Sequence, residues 1–230
     1  MTAPVRTPMR TPLKATPIAA AIVVVLVLAV AVYALATRPA PPAEPGAAGG
    51  PSVVRQSSHV LDDGGADAIT VVEFLDFECE ACGAFYPVAE ELRERFRGEI
   101  TYVVRYFPLP GHVNSTNAAI AAEAAAQQGR FEAMYHRLFE SQAEWGEAQE
   151  SHAELFRGFA QELGLDMAAY DAAVADPATA ARVELDFDEG RTLGVGSTPT
   201  FFVDGERLEL QRWGDLEVAI DRAVEARGSR

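Results

Sequence analysis

The two cysteines of the chain, Cys79 and Cys82, stand three positions apart at the junction of two very different stretches of sequence. The stretch before them, Ala68 to Phe77 (AITVVEFLDF), is β-branched and aromatic and predicts a largely buried strand. The stretch from Cys79 to Phe96 predicts a helix that ends near Gly98. A strand that enters a helix through Cys-Glu-Ala-Cys places the first cysteine at the helix N-terminus.

This location makes the first thiol reactive. Free backbone N–H groups and the helix dipole favour an anion there, and the thiolate is the form of cysteine that attacks a disulfide. Cys82, one helical turn further on, can close back on Cys79. The pair can therefore cycle between dithiol and disulfide through a mixed disulfide. Because a disulfide between these two residues closes only a short loop, we do not expect its role to be stabilisation of the fold.

Two other interpretations of the cysteines compete with this one. A zinc site normally has four ligands, but no third cysteine exists and the histidines are scattered along the chain, at His59, His112, His136 and His152. The second alternative is a pair of buried cysteines without a chemical role. The strand–Cys-x-x-Cys–helix context favours the redox pair over both.

The rest of the folded part follows an α/β order. A second strand is predicted at Ile100 to Phe107, and the pattern from Ser115 to Arg191 is helical. We predict helices at 115–128, 131–141, 151–163, 166–175 and 178–192, strands at 200–203 and 207–210 joined by the turn Asp204-Gly205, and a last helix at 215–225. The chain therefore predicts a sheet with a helical insertion, at about 115–191.

Glu73 lies six residues before Cys79, inside the apolar strand. A carboxylate there is costly to bury unless it has a partner or a task. Burial would raise its pKa, so that it could pass protons to the second thiol. The alternative is that Glu73 points to solvent from an edge strand.

Pro199 follows Gly196-Ser197-Thr198 and stands at the start of a predicted strand. A proline in this position often marks a cis peptide bond in a tight connection, and an ordinary trans turn is the alternative. His112, in the stretch PLPGH after the second strand, could assist proton transfer, but the sequence favours a surface-loop histidine.

The N-terminal region predicts a membrane anchor. Residues 18–36 are 19 uncharged, mostly aliphatic residues, and a helix of this length spans about 28 Å, close to the hydrocarbon thickness. Arg6, Arg10 and Lys14 precede the stretch and only Arg38 follows closely, so the N-terminus is expected in the cytoplasm. The alternative is a signal peptide cleaved after Ala36. Both interpretations place the folded domain outside the cytoplasm.

The chain thus divides into four segments: a cytoplasmic N-terminus at 1–17, a single transmembrane helix at 18–36, a linker rich in Pro, Gly and Ala at 37–52, and a folded domain at 53–230. The net charge is −15. An acidic domain offers no phosphate-neutralising patch, so we expect no nucleic-acid partner.

Four stretches of the chain resemble the DsbA-like branch of the thioredoxin superfamily, and together they are far more specific than Cys-x-x-Cys alone. They are VVEFLDFECEACGAFYP (71–87), VVRYFPL (103–109), AAEAAAQQGRFEAMYHRLF (121–139) and GVGSTPTFFVDG (194–205). The resemblance implies a thioredoxin-like α/β fold with an inserted helical domain, which the predicted transmembrane helix at 18–36 would precede.

The resemblance also implies roles for individual residues. Cys79 matches the exposed nucleophilic cysteine, Cys82 the buried resolving cysteine and Glu73 the buried acid beneath the site. Thr198 and Pro199 match the cis-proline loop, which in the family binds substrate backbone as an added strand.

The chain departs from the family pattern between and beside the cysteines. The dipeptide Glu80-Ala81 lacks the histidine that strong oxidants of the family carry there. Glu78 and Glu80 flank Cys79, and negative charge disfavours a thiolate, although solvent screens exposed carboxylates. We therefore do not expect an extremely oxidising pair.

The expected function is that of a protein disulfide oxidoreductase acting on exported thiols and disulfides, with no organic cofactor and no metal. A membrane or soluble redox partner must reset the pair, and the family suggests quinone-linked reoxidation. One alternative is an extracytoplasmic reductase, for example in cytochrome or metal-centre maturation, because the reduction potential decides the direction. Another is a non-catalytic metal-binding or docking module on the same fold.

Overall fold

The structure is a computed structural model that describes residues 52–229. The predicted cytoplasmic segment at 1–17, the predicted transmembrane helix at 18–36 and all but the last residue of the linker lie outside the described residues. Among residues 52–229, the helices are too short or too polar to cross a bilayer.

The described part contains five strands and eight helices. The strands are β1 (His59–Asp62), β2 (Ile69–Leu75), β3 (Ile100–Tyr106), β4 (Thr200–Val203) and β5 (Glu206–Leu208). The helices are α1 (Glu80–Arg95), α2 (Ser115–Ala126), α3 (Phe131–Glu140), α4 (Gln142–Trp145), α5 (Ala153–Glu162), α6 (Met167–Ala175), α7 (Pro177–Thr192) and α8 (Asp215–Gly228).

The strands form one mixed sheet in the order β1-β3-β2-β4-β5. β2 and β3 are parallel and connected through α1, whereas the pairs β1–β3, β2–β4 and β4–β5 are antiparallel. β2 has a neighbour on each side, and six of its seven residues are buried. The strand that leads to the cysteines is therefore the centre of the sheet.

Alternate residues of β2 face two different apolar layers, as the period of two in a strand requires. Val71 and Leu75 belong to the main core, which the α1 residues Phe85 and Leu92 and the α8 residue Leu216 also join. On the opposite face, a smaller core contains Val72, Phe74, Val103, Phe107, Val195 and Phe202. Residue 73 therefore faces the side of the sheet that carries α1.

A buried ion cluster fastens α7 and the start of the domain to the back of the sheet. The Arg105 side chain is completely buried on β3 and lies 2.5 Å from Asp186 of α7 and 2.7 Å from Glu189. It also donates to the backbone carbonyls of Ser52 (2.8 Å) and Val53 (3.3 Å). A buried guanidinium is tolerated here because carboxylates and carbonyls take up its donors.

The helical insertion lies between β3 and β4, as predicted, and comprises α2 to α7. The structure adds two elements that the sequence pattern did not predict, β1 and the four-residue helix α4. β1 is a four-residue edge strand with an irregular register between Val60 and Asp62, and so short a strand leaves little periodicity. Helices α6 and α7 are separated by Asp176, and Pro177 is the first residue of α7, where a missing N–H costs nothing.

Candidate active site

Cys79 is the N-cap residue of α1 and follows the carboxyl end of β2 after a short connection. Its backbone is extended (φ −66°, ψ 120°), and its carbonyl accepts the N–H of Gly83 at 3.0 Å, which begins the helix. The predicted strand to Phe77 ends earlier, at Leu75, so that residues 76–78 form a short connection. This connection places Cys79 at the N-terminus of the helix.

The environment of Cys79 stabilises its thiolate. A hydrogen bond with the Cys82 side chain, the largest contribution, lowers the pKa of Cys79 to about 5. Cys79 is only 8% exposed, which differs from the exposed position that the resemblance implied. Burial opposes the shift in pKa, while a hydrogen bond with Thr198 and the N–H groups of Cys82 and Ala81 assist it. A group with this pKa is almost fully ionised at neutral pH.

Cys82 has the opposite character. It is completely buried in the first turn of α1, and both cysteines are free thiols in this structure. Burial raises the pKa of Cys82 well above its usual value of 9.0, and the neighbouring Cys79 and Glu73 raise it further. The site therefore holds one thiolate and one protonated thiol.

Glu73 lies on the central strand and is only 2% exposed, so the alternative of a solvent-facing edge position is wrong. Its Oε2 accepts a hydrogen bond from the Tyr102 hydroxyl at 2.7 Å. Burial raises the pKa of Glu73 to about 7, although the Tyr102 hydrogen bond works in the other direction. A carboxyl group with this pKa can both give and take a proton at neutral pH.

The loop that contains Thr198 and Pro199 reaches the nucleophile from the far end of the chain. The Thr198–Pro199 peptide bond is cis, as predicted. The Cys79 thiol lies 3.5 Å from the Thr198 carbonyl oxygen, and Thr198 is buried. The structure thus brings all five residues singled out in the sequence to one site around α1.

The sequence pattern missed Asp76, a buried residue that organises the loops beside Cys79. Its carboxylate accepts the N–H of Leu109 (3.0 Å) and the hydroxyl of Ser115 (2.5 Å) and lies 2.6 Å from Nδ1 of His112. This network ties the connection after β2 to the loop after β3.

His112 consequently lies at the site, although the sequence favoured a surface role for it. Partial burial lowers the pKa of His112, but the hydrogen bond to Asp76 and the charges of Asp76 and Cys79 outweigh it, so that the pKa is raised. The imidazole is about one-third exposed. It therefore presents partial positive charge to the groove that contains Cys79.

The two glutamates beside Cys79 differ, which corrects the expectation of two exposed carboxylates. Glu80 is exposed, but Glu78 is 2% exposed and its Oε2 accepts the N–H of Asn114 at 2.6 Å. Because Glu78 is bound to the backbone ahead of α2, it serves as a structural contact between the two loops.

Two depressions flank the cysteines. One, of about 220 Å³, is lined by Ala81, Phe85, Pro199 and residues 210–213, and contains the half-exposed Trp213 ring stacked on Phe85 at 5.5 Å. The other, of about 360 Å³, is lined by Cys79, Glu80, His112 and Glu147 among others. The site is therefore bordered by a partly apolar depression on one side and by a charged depression on the other.

Comparison with known proteins identifies the family. A family model described as Thioredoxin matches residues 63–222, well over half of the chain. Among curated proteins, the chain is 39% identical over 162 residues to a Na(+)/H(+) antiporter NhaA of Herminiimonas arsenicoxydans, which covers 69% of this chain and 24% of that protein. It is 40% identical over 140 residues to the Na(+)/H(+) antiporter NhaA 3 of Salinispora tropica. That alignment covers 60% of this chain and 20% of the antiporter. The chain thus spans a quarter or less of the length of these relatives.

Solved structures of similar fold are oxidoreductases. A thioredoxin-like oxidoreductase from Silicibacter pomeroyi DSS-3 has 28% identity and a TM-score of 0.61, with 74% of this chain and 94% of that chain covered. BdbD of Bacillus subtilis has 21% identity and a TM-score of 0.66, with 77% and 97% covered. Wolbachia pipientis α-DsbA1 has 20% identity and a TM-score of 0.66, with 76% and 95% covered. The chain therefore belongs to the thioredoxin family and has the fold of the DsbA-type thiol–disulfide oxidoreductases.

Proposed function

We propose that the protein forms or exchanges disulfide bonds in exported proteins through Cys79 and Cys82. The observation that carries this proposal is the asymmetry of the two thiols. The pKa of Cys79 is lowered to about 5, whereas that of the adjacent, fully buried Cys82 is raised well above 9.0. The Cys79 sulfur can therefore attack a disulfide, or leave one, as a thiolate, whereas the Cys82 sulfur retains its proton.

In the oxidising direction, a substrate thiolate attacks the Cys79 sulfur of the Cys79–Cys82 disulfide. The bond between the two cysteines breaks, a mixed disulfide forms with Cys79, and Cys82 leaves with the electron pair. Glu73 then supplies a proton to the Cys82 thiolate, since its pKa of about 7 leaves it partly protonated at neutral pH.

A second substrate thiolate completes the reaction. It attacks the substrate sulfur of the mixed disulfide, the substrate disulfide forms, and Cys79 leaves as a thiolate. The substrate has lost two electrons and the cysteine pair has gained them. A redox partner with a disulfide, or an oxidant linked to a quinone, must then remove these electrons.

The stability of the Cys79 thiolate bears on the direction of the reaction. A lower pKa stabilises the reduced pair and makes the disulfide a stronger oxidant. The value of about 5 for Cys79 lies between about 7 for thioredoxin and about 3.5 for DsbA. We infer a moderately oxidising pair, which is compatible with net oxidation or with disulfide exchange.

We place the domain outside the cytoplasm, held by the helix at 18–36 with the N-terminus inside. The uncharged stretch and the basic residues before it support this placement. Disulfides also persist in extracytoplasmic compartments, where such an activity is useful. Fusion of a reporter enzyme after residue 52 tests the topology, and activity of a reporter that works only in the cytoplasm would contradict it.

Trapping and equilibrium experiments test the activity. The Cys82→Ala variant should accumulate mixed disulfides with exported proteins through Cys79, and Cys79→Ser should abolish both trapping and turnover. Equilibration of the full-length protein with glutathione gives the reduction potential, and a value of about −270 mV would favour the reductase alternative. Retained activity in Cys79→Ser, or a stoichiometric metal in purified protein, would favour the binding-module alternative.

A further inference from the structure

The side chain of Gln142 connects the helical insertion to the backbone on both sides of Glu78. Its Nε2 donates to the carbonyl of Phe77 at 2.7 Å and to the carbonyl of Cys79 at 2.9 Å. The Cys79 carbonyl also accepts the N–H of Gly83, the hydrogen bond that begins α1. One amide group therefore holds the connection that carries the nucleophile at two points.

Gln142 belongs to a tightly packed part of the helical insertion. It begins the short helix α4, whose last residue, Trp145, is completely buried. The indole N–H of Trp145 donates to the Ser141 hydroxyl at 3.2 Å, and its ring packs edge-on against Phe156 at 4.8 Å. Because α4 is packed into the insertion, the Gln142 amide can hold the connection 76–79 in place.

Gly83 provides an independent observation. It lies within α1, where alanine would be favoured over glycine by about 1 kcal/mol. A Cβ atom on Gly83 would overlap the Oε1 and Cδ atoms of Gln142. The helix therefore has its glycine at the point where the Gln142 side chain crosses it.

We propose that Gln142 is a positioning residue for Cys79, which holds the sulfur at the N-terminus of α1, and that Gly83 is needed to make room for the Gln142 amide. The importance of Gln142 for turnover rests on the proposed oxidoreductase function. Without the two hydrogen bonds from Gln142, the connection 76–79 could rotate about its backbone bonds and the sulfur would lose its alignment with the helix terminus.

The pH dependence of Cys79 alkylation by iodoacetamide tests the positioning directly. Gln142→Met keeps the length of the side chain but removes the N–H donors. In the full-length protein we expect the alkylation midpoint to rise by about one pH unit, and the equilibrium constant with glutathione to change about tenfold. This fold-change corresponds to a potential about 30 mV more negative. An alkylation midpoint equal to that of the wild type would overturn the inference.

A double-mutant cycle separates positioning from general destabilisation. Gly83→Ala alone should displace the amide and shift the midpoint as Gln142→Ala does, whereas the double variant should show no more than the Gln142→Ala shift. Additive shifts would contradict the proposal. Gln161→Met, at an exposed position of α5, is the matched control and should keep the wild-type midpoint.

The two proposals fail separately. If Cys82→Ala traps no substrate, the proposed function is wrong, but the alkylation midpoints still report on the position of Cys79. If trapping succeeds and the Gln142→Met midpoint is unchanged, the function stands and the role of Gln142 is wrong.

Discussion

Replacement of Glu73 by glutamine should make the folded protein more stable at alkaline pH. The glutamine side chain has nearly the same shape and can still accept the Tyr102 hydroxyl through its Oε1, the contact that Glu73 makes at 2.7 Å. It cannot ionise. The substitution therefore removes the cost of keeping a carboxylate in a site that is 2% exposed.

The magnitude follows from the pKa of Glu73, which is raised from 4.5 to about 7 by burial. Between these two values the unfolded chain has released a proton that the folded chain retains, so wild-type stability falls as pH rises through this range. The loss of stability caused by ionisation of Glu73 is absent below about pH 4.5 and complete above about pH 7. A difference of about 2.5 pKa units corresponds to about 3 kcal/mol.

Denaturant unfolding at several pH values, with the thiols kept reduced, measures this effect. Fluorescence of the buried Trp145 can follow the transition. The free energy of unfolding of Glu73→Gln minus that of the wild type should increase between about pH 4.5 and 7 and then level off, on top of any pH-independent offset from the new amide. A difference that stays flat, or that decreases with pH, would refute the reasoning.

Three further predictions concern the site and its support. His112→Ala should raise the pKa of Cys79, because it removes a partly protonated imidazole from the same groove, and iodoacetamide alkylation measures the shift. Arg105→Met should destabilise the fold by about 3–5 kcal/mol, because it leaves a buried carboxylate without its main partner, and denaturant unfolding measures the loss. Gly190→Ala should cost about 1–3 kcal/mol in the same assay, because a Cβ atom would lie 2.8 Å from the ring of Phe107.

Each of these predictions has a result that contradicts it. An unchanged or lower alkylation midpoint in His112→Ala would show that the imidazole does not influence the thiolate. Arg97 is largely exposed, so Arg97→Met is the control for the charge lost in Arg105→Met. Equal stability of those two variants would contradict the role of the buried ion cluster. A Gly190→Ala protein as stable as the wild type would contradict the packing of the smaller core.

Local sequence was sufficient to single out the residues that the structure brings together around the cysteines. Cys79 and Cys82 stand where a β-branched strand changes to a helix, and Glu73 stands out because it is a charge within an apolar run. These signals lie close to each other along the chain. Thr198 and Pro199 were identified from the start of another strand, and the antiparallel pairing of β4 with β2 brings them to the cysteines.

The supporting residues could not be predicted in this way because their partners are distant in sequence. Asp76 looks like an ordinary end-of-strand residue until the loop after β3 folds over it, and Gln142 lies 63 residues from Cys79. Glu78 was misjudged for the same reason, since its partner is the backbone of Asn114. The periodicity of apolar residues along the sequence does not indicate contacts between residues so far apart in the chain.

The contacts that Arg105 makes with the carbonyls of Ser52 and Val53 set a practical limit on dissecting the molecule. A shortened version that begins after Val53 would remove two acceptors from a guanidinium group with no access to water. Such a version would melt earlier for a reason unrelated to the cysteines. Soluble fragments meant for crystallisation or enzymology should therefore start upstream of residue 52, even though regular secondary structure begins only at His59.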